Sequence, residues 1–212
     1  MRRGKSIIFV LAVICVLVGC GGRKAPDVSS VTIDKDGKIS HQIVGQFEQN
    51  YYEKDGLMSL ARERVDKYCS DNGADRVVLG EIEEEDGKVL MQFDYASCTD
   101  YSAFNNRELF VGTLDEAENQ GYNLGYVAFT SSKSQPMEIS DLEEPENMQI
   151  VIIGMKPSEE MVVHTYGKVL YVNQSATSDL NVAFLGKDSV NISYPAQEEG
   201  AQESVLSYII FE

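Results

Sequence analysis

The chain has 212 residues, with 34 acidic and 18 basic side chains and a net charge of −16. A nucleic-acid partner requires a basic surface, so this excess of acid argues against one. The length is sufficient for one domain with a sizeable core or for two small domains.

The first twenty residues have the pattern of a bacterial lipoprotein signal. Three basic residues precede the twelve apolar residues 7–18. That run is too short for a membrane span, which needs roughly 20 apolar residues, and a basic start before a short apolar run is typical of an export signal. Residues 17–20, Leu-Val-Gly-Cys, resemble the lipobox, in which the cysteine receives a diacylglyceryl group and the chain is cut before it. We therefore expect residues 1–19 to be a signal peptide and Cys20 to carry lipid.

Two other interpretations of this segment are an uncleaved membrane anchor and an ordinary secretory signal in which Cys20 has no role. The short apolar run and the Gly-Gly pair after Cys20 favour the lipoprotein. Two acyl chains are enough for stable attachment. The sequence thus predicts a protein of the cell membrane, lipid-anchored on its extracytoplasmic face.

Cleavage before Cys20 would leave 15 basic and 34 acidic side chains, a net charge of −19. Such a surface offers no polybasic contact for anionic lipid headgroups. The lipid is therefore expected to be the only membrane contact, and the charge itself keeps a protein soluble by self-repulsion.

Residues 20–30 are expected to form a lipidated flexible tether, because they lack a periodic apolar pattern. Such a segment has a root-mean-square reach on the order of 17 Å. Residues 31–212 are then predicted to form a single extracytoplasmic domain of the α+β class. We expect a mainly antiparallel sheet, one principal helix at about 55–72 and one or two short helices.

The first predicted elements are a hairpin and the principal helix. Residues 31–47 alternate around an Asp36-Gly37 turn, which is typical of a β-hairpin. Asp55 is expected to cap the helix that follows, and Asn72-Gly73 to stop it. Its apolar positions at i, i+4 spacing are Leu57, Ala61, Val65 and Cys69, with Leu60 and Tyr68 beside them.

A second hairpin is predicted from residues 76–84 and 89–95 around the turn 85–88. A helical turn at about 100–105 and a strand at 109–111 follow. Thr113-Leu-Asp-Glu116 is a capping box, so it predicts a short helix that ends at Gly121.

The rest of the chain is predicted to be mostly strands. Residues 148–153 are largely apolar, which indicates a central strand or one packed on both faces. The Glu-rich loop 141–147 is the one candidate boundary inside the domain. The predicted strands are 126–130, 148–153, 168–172, 182–185, 190–194 and 205–211, with a turn at 186–188 between the fourth and the fifth.

Two cysteines remain once Cys15 leaves with the signal peptide and Cys20 takes lipid. The predicted topology brings Cys69 and Cys98 to the same end of the second hairpin, and disulfides are stable outside the cytosol. A bond between them would close a loop of about 30 residues and contribute roughly 3 to 4 kcal/mol. The alternative is two separate buried thiols.

Few residues point to catalysis or to a metal. His41 and His164 are the only histidines, and no metal-binding spacing accompanies them. No Gly-x-Ser-x-Gly nucleophile motif occurs. Asp34-x-Asp36-Gly37 resembles the start of a calcium loop, but position twelve would be Ile43 where a bidentate Glu is needed. We therefore assign no catalytic residue, no metal ligand and no cofactor.

Several short motifs occur in order along the mature chain: Val31-Thr-Ile-Asp34, Asp36-Gly-Lys38, Asp100-Tyr-x-x-Phe104-Asn105, Leu109-Phe-Val-Gly-Thr113, Glu116-Ala117, Gly121-Tyr122 and Lys168-Val-Leu-Tyr-Val172. In these motifs the chain resembles small lipoproteins of clostridia-like Gram-positive bacteria, a group of uncharacterised role. The resemblance would span nearly the whole mature chain and implies a cell-surface lipoprotein, with no activity, ligand or catalytic residue attached to it.

The sequence therefore favours a non-catalytic envelope module that binds a peptide, a wall component or a partner protein. The alternative is an envelope hydrolase that uses carboxylates or a metal, for which the only motive is the abundance of Asp and Glu. A cleft with two inward carboxylates would favour the enzyme, and a flat or edge-strand surface without buried acids would favour the module.

Overall fold

The computed structural model describes residues 27–47, 53–132, 135–174, 179–196 and 204–212. The predicted signal peptide, Cys20 and the tether as far as residue 26 lie outside the described residues, so those assignments stay predictions. Among the described helices, none combines the length and the apolar character that a membrane crossing needs.

The α+β class is confirmed: the described residues form twelve strands and three α-helices. The helices are α1 (Lys54–Asn72), α2 (Cys98–Asn105) and α3 (Leu114–Asn119). The strands are β1 (Ser29–Ile33), β2 (Ile39–Gln46), β3 (Val77–Glu85), β4 (Lys88–Tyr95), β5 (Leu109–Thr113), β6 (Ala128–Thr130), β7 (Gln149–Met155), β8 (Glu159–His164), β9 (Val169–Gln174), β10 (Asn181–Phe184), β11 (Ser189–Tyr194) and β12 (Val205–Phe211).

Seven strands form one sheet in the order β10-β11-β8-β1-β2-β4-β3. Both predicted hairpins are confirmed as β1–β2 and β3–β4, and Gly37 adopts the positive φ of 82° that its turn requires. The pairing of β1 with β8 is parallel, whereas the other pairs in this sheet are antiparallel. β1 therefore joins the N-terminal hairpins to strands from the second half of the chain.

Helix α1 begins and ends close to the predicted limits, but its capping residue was predicted wrongly. Glu53 is the N-cap, without a side-chain hydrogen bond, and Asp55 lies in the first turn. Val65 is the buried centre of its inner face, whereas Leu60 is 66% exposed. At the other end, Gly73 caps the helix with φ at 111° and its N–H bonds to the Cys69 carbonyl.

Five strands form a second sheet in the order β5-β7-β12-β9-β6, antiparallel throughout. The prediction for residues 148–153 is confirmed, since every residue of β7 after Gln149 is buried. Its alternate side chains enter two different clusters. Val151 and Ile153 belong to the larger core that both sheets share, while Ile150 and Ile152 pack against α3 and the segment that follows it.

Several other predictions need correction. Ser29 and Ser30 already belong to β1, so the fold begins before residue 31. Strand β8 was not predicted. Tyr126 ends a 3₁₀ turn and is 88% exposed, and β6 begins only at Ala128. The capping box of α3 is confirmed, although that helix ends at Asn119 instead of Gly121.

The loop at 141–147 does not separate the two sheets. Strands from before and after this loop lie in both of them: β5 pairs with β7 in one sheet, and β1 pairs with β8 in the other. The loop itself contains short 3₁₀ turns, at Ile139–Asp141 and Pro145–Asn147.

Candidate functional site

A polar pocket opens where β1 begins in the seven-stranded sheet. β1 starts at Ser29, opposite Met161 of β8, and the Ser29 hydroxyl accepts a hydrogen bond of 3.0 Å from the Val44 N–H of β2. The cavity has a volume of about 380 Å³, within the range of small-ligand sites. Its polar lining consists of Ser29, His41, Asn105, Arg107, Ser158, Glu159 and Glu160.

The strand pattern places His41 on the inner face of β2. His41 is paired in register with Val31 and Phe93, both buried, and is itself only 6% exposed. Its ring meets that of Tyr101 edge to face, with centroids 5.3 Å apart. Neither His41 Nδ1 nor the Tyr101 hydroxyl has a hydrogen-bond partner among the described residues. Buried polar atoms are seldom left so, because each such atom costs stability.

Burial keeps the His41 imidazole and the Tyr101 phenol uncharged at neutral pH. Burial, and secondarily the positive charge of Arg107, lowers the pKa of His41 to about 4. Burial raises the pKa of the Tyr101 hydroxyl far above its ordinary value. The neutral imidazole of His41, which lines the pocket, can therefore donate or accept a hydrogen bond without a change of charge.

An ion pair fixes one wall of the pocket. Arg107 Nη2 donates to Glu159 Oε1 at 2.5 Å, and Arg107 Nη1 donates to the Gly154 carbonyl at 3.3 Å. The Lys156 N–H donates to Glu159 Oε2 at 2.9 Å. Since both carboxylate oxygens are engaged, Glu159 holds the β7–β8 turn and Arg107 in place and is not a free acid or base.

Helix α2 positions Tyr101 and Asn105. The Ser97 side chain caps the helix by accepting from the Asp100 N–H, and it also donates to Asp100 Oδ2 at 2.5 Å. Arg76 Nε donates to the buried Asp100 Oδ1 at 3.0 Å. Asn105 Nδ2 donates to the Tyr101 carbonyl at 2.9 Å. The start of α2 is thereby anchored, and its inward residues reach the pocket and the core.

The structure does not bring the two histidines together. His41 and His164 are paired in register with the adjacent β1 residues Val31 and Thr32, so their side chains lie on opposite faces of the sheet. Among the residues that the structure describes, no group of three His, Cys, Asp or Glu side chains could hold a metal. The Asp36 carboxylate bonds to Lys38 at 3.0 Å within the first hairpin turn.

Cys69 and Cys98 are free thiols in the structure, not a disulfide. Both are half-buried against the same core cluster, and Cys69 Sγ donates to the Val77 carbonyl at 3.3 Å. The predicted bond is tested by intact mass with and without reductant. Loss of the mass of two hydrogens in the non-reduced protein would establish it, and equal masses would establish two thiols.

A second concavity, of about 530 Å³, lies at the N-terminal end of α1 and has an apolar lining that includes Leu57, Leu60, Val89 and Met91. Its lining includes Phe47 and Glu53, the described residues on either side of the undescribed range 48–52. The polar pocket is the better candidate because described residues surround it and because its wall contains the unpaired His41 Nδ1.

Sequence analysis singled out His41 only as a metal candidate and did not identify Arg107 or Glu159. Tyr101 and Asn105 occurred in a motif interpreted as structural. The alternating Met161 and Val163 would have signalled β8, but not its parallel pairing. The chain matches no protein-family model, no curated protein and no solved structure.

Proposed function

We propose that this protein is a lipid-anchored, extracytoplasmic binding module whose ligand enters the polar pocket. The observation that carries the binding function is a buried, unpaired polar group, His41 Nδ1, on a residue that lines a 380 Å³ cavity. A bound ligand that hydrogen-bonds to this nitrogen would remove its cost.

The membrane attachment rests on the lipoprotein signal that ends at Cys20 and on the resemblance to clostridia-like lipoproteins. Asp27 forms an ion pair with Lys88, next to the strand β2 that lines the pocket. Only seven residue steps separate Cys20 from Asp27, and a chain of that length spans at most about 25 Å even when fully extended. The lipid would then hold the pocket close to the membrane.

The attachment is tested by labelling cells with radioactive palmitate and comparing the wild type with Cys20→Ala. Wild type and the matched control Cys69→Ala are expected to carry label, and Cys20→Ala none. Equal labelling of all three would contradict the lipid anchor.

The binding function is tested by photocrosslinking on intact cells. A photoreactive residue at Val44, which lines the pocket, is expected to yield a defined adduct. The matched control is the same residue at Val78, which is 45% exposed on the edge strand β3. The same adducts at both positions, or none at Val44, would contradict a specific pocket ligand.

The alternative of an envelope hydrolase has less support. Glu159 is held by Arg107 and by a backbone N–H, and Glu160 Oε1 accepts from Asn191 at 2.8 Å. The two are adjacent in β8 and so point to opposite faces of the strand. This arrangement favours recognition over acid–base chemistry.

A further inference from the structure

We propose that the polar pocket binds a short extended peptide, which pairs as a strand between β2 and β8 in line with β1. This inference deepens the proposed binding function by naming the class of ligand, and it does not depend on the lipid anchor.

The pocket lies in a gap of the seven-stranded sheet. β1 is the strand between β2 and β8, and its pairing begins at Ser30 opposite Gln42 on one side and at Ser29 opposite Met161 on the other. β2 continues past this point to Gln46, and β8 begins two residues before Met161. On the N-terminal side of Ser29, the two neighbours of β1 therefore continue without a residue of β1 between them.

The chain before Ser29 leaves the line of β1. The Asp27 carboxylate pairs with Lys88 of β4, and β4 lies on the far side of β2 from β8. Along the described chain, Ser29 is the first residue that lines the cavity, and β2 and β8 contribute most of the others. The cavity of about 380 Å³ thus lies where a longer β1 would run.

Both sides of the gap are held by the strands that flank them. β2 pairs with β4 as far as Gln46, and β8 pairs with β11 as far as Glu159. Because neighbouring strands in a sheet lie about 4.8 Å apart, β2 and β8 are separated by about 10 Å where β1 begins. That separation accommodates one extended chain.

The β2 edge of the gap presents backbone groups that a strand can bind. The Val44 N–H points to the β1 side, because it donates to the Ser29 hydroxyl at 3.0 Å. The Phe47 N–H points to the β4 side, because it donates to the Gly87 carbonyl at 2.7 Å. Backbone groups of successive strand residues point to opposite sides, so those of Val44 and Gln46 face the gap. A serine hydroxyl thus holds the Val44 N–H where a strand carbonyl would hold it in a longer ladder.

The inner wall of the pocket fits a polar side chain of such a peptide. Alternate residues of a strand point to opposite faces, so every second peptide residue would face the inner lining, which includes His41, Asn105 and Arg107. His41 Nδ1 has no partner among the described residues, and a neutral imidazole can donate or accept. The hydrogen bonds of Arg107 to described residues use two of its five guanidinium donors. An amide side chain offers a donor and an acceptor to these groups.

The electrostatics of the site favour a peptide without negative charge. Arg107 is paired with Glu159, so the pocket has no uncompensated positive charge from this guanidinium. The whole protein is strongly acidic, and its field opposes an anion that approaches. A capped, uncharged peptide is therefore the suitable probe.

Isothermal titration calorimetry on the full-length protein in detergent compares two capped tetrapeptides. The first is acetyl-Val-Asn-Val-Asn amide, which as a strand presents both amide side chains on one face. The matched control has the same side chains but carries methyl groups on its second and third backbone nitrogens, so it lacks two donors. We expect the first to bind and the methylated peptide to bind at least about tenfold more weakly.

Two results of this comparison would overturn the proposal. Equal affinities of the two peptides would show that the backbone donors make no contact with the sheet. Absence of binding by the unmethylated peptide is expected if ordered water alone fills the gap.

Amide hydrogen exchange followed by NMR locates the bound peptide. With the unmethylated peptide at saturation, we expect the Gln46 N–H to exchange at least about tenfold more slowly, because a peptide carbonyl would then accept from it. The matched control is the Gly45 N–H, which points to β4 and should exchange at its former rate. An unchanged rate at Gln46, or equal slowing at both residues, would overturn the pairing in the gap.

The two proposals fail in different ways. If the unmethylated peptide does not bind while Val44 still yields a specific adduct on cells, the peptide ligand is wrong and the binding function stands. If neither experiment gives a signal, both are wrong.

Discussion

The two sheets differ in how much of each is buried. The five-stranded sheet is covered on both faces, by the seven-stranded sheet on one side and by α3 with its following turns on the other. The seven-stranded sheet buries its inner face, while outer residues such as Gln92 are exposed. The polar pocket lies in the seven-stranded sheet, where β1 begins. Under the proposed function, the five-stranded sheet would contribute mainly to stability and the seven-stranded sheet would also contribute the binding site.

This division has a simple physical cause. A strand buried on both faces admits a polar side chain only where that side chain has a partner, as where Asn173 accepts hydrogen bonds from the Ser207 hydroxyl and the Tyr208 N–H. His41 lies on the inner face of the seven-stranded sheet, and there a cavity and Arg107 lie beside it. The predictions that follow test whether the two sheets respond differently.

Truncation of the buried sheet is expected to have the largest effect. Ile152→Ala removes a fully buried side chain of β7, and the cavity should lower the free energy of unfolding by about 3 to 4 kcal/mol. Leu185→Ala, at the tip of the β10–β11 hairpin of the other sheet, removes a side chain that is 59% exposed and should cost less than about 1 kcal/mol. Urea denaturation measures both, and equal losses would contradict the division.

The pH dependence of stability should reveal His41. Its pKa is about 4 in the folded protein and about 6.5 in the unfolded chain, so between these values the unfolded chain binds the proton first. Stability is therefore lost as the pH falls from 6.5 to 4, by about 3 kcal/mol from this group.

The variant His41→Phe should lack this contribution, whereas His164→Gln, on the opposite face, should retain it. Urea denaturation across this pH range measures the slope. A slope in His41→Phe identical to that of the wild type would show that His41 is not buried and neutral.

A smaller effect is expected at the connection between the sheets. A Cβ at Gly167, between β8 and β9, would overlap the Glu212 carbonyl oxygen and lie 2.7 Å from its carbon, so Gly167→Ala should cost about 1 to 3 kcal/mol. Gly56→Ala in α1 meets nothing closer than 3.9 Å and should stabilise by about 0.5 to 1 kcal/mol through helix propensity. Thermal unfolding measures the stability of both variants. A Gly167→Ala protein that is as stable as the wild type or more stable would contradict this packing.

The sequence predicted what local patterns determine. The Asp-Gly hairpins, the Thr113 capping box and the apolar strand β7 all depend on neighbouring residues, and they are confirmed. The predicted Asp55 cap was wrong because the N-cap is Glu53, two residues earlier, and the helix begins at Lys54. Local rules thus gave the elements, with small errors at their ends.

The site could not be predicted in the same way. It depends on β8, a six-residue strand whose parallel pairing with β1 joins residues about 130 positions apart, and no local signal encodes such pairing. Arg107 and Glu159 meet because the pairing of β5 with β7 places Arg107 beside Gly154, just before the turn that leads into β8. Tyr101 was visible in the α2 motif, but its unpaired hydroxyl appears only once His41 is packed against it.

The most direct test of the pocket is a histidine-selective NMR titration of the full-length protein with acid. The chain has only two histidines, so the spectrum of His41→Phe assigns the His41 signals by their loss. We predict that the His41 imidazole stays neutral from pH 7 down to about pH 5, because burial lowers its pKa to about 4. A His41 signal that shifts with a midpoint near the ordinary value of about 6.5 would contradict a buried, neutral imidazole at the wall of the polar pocket.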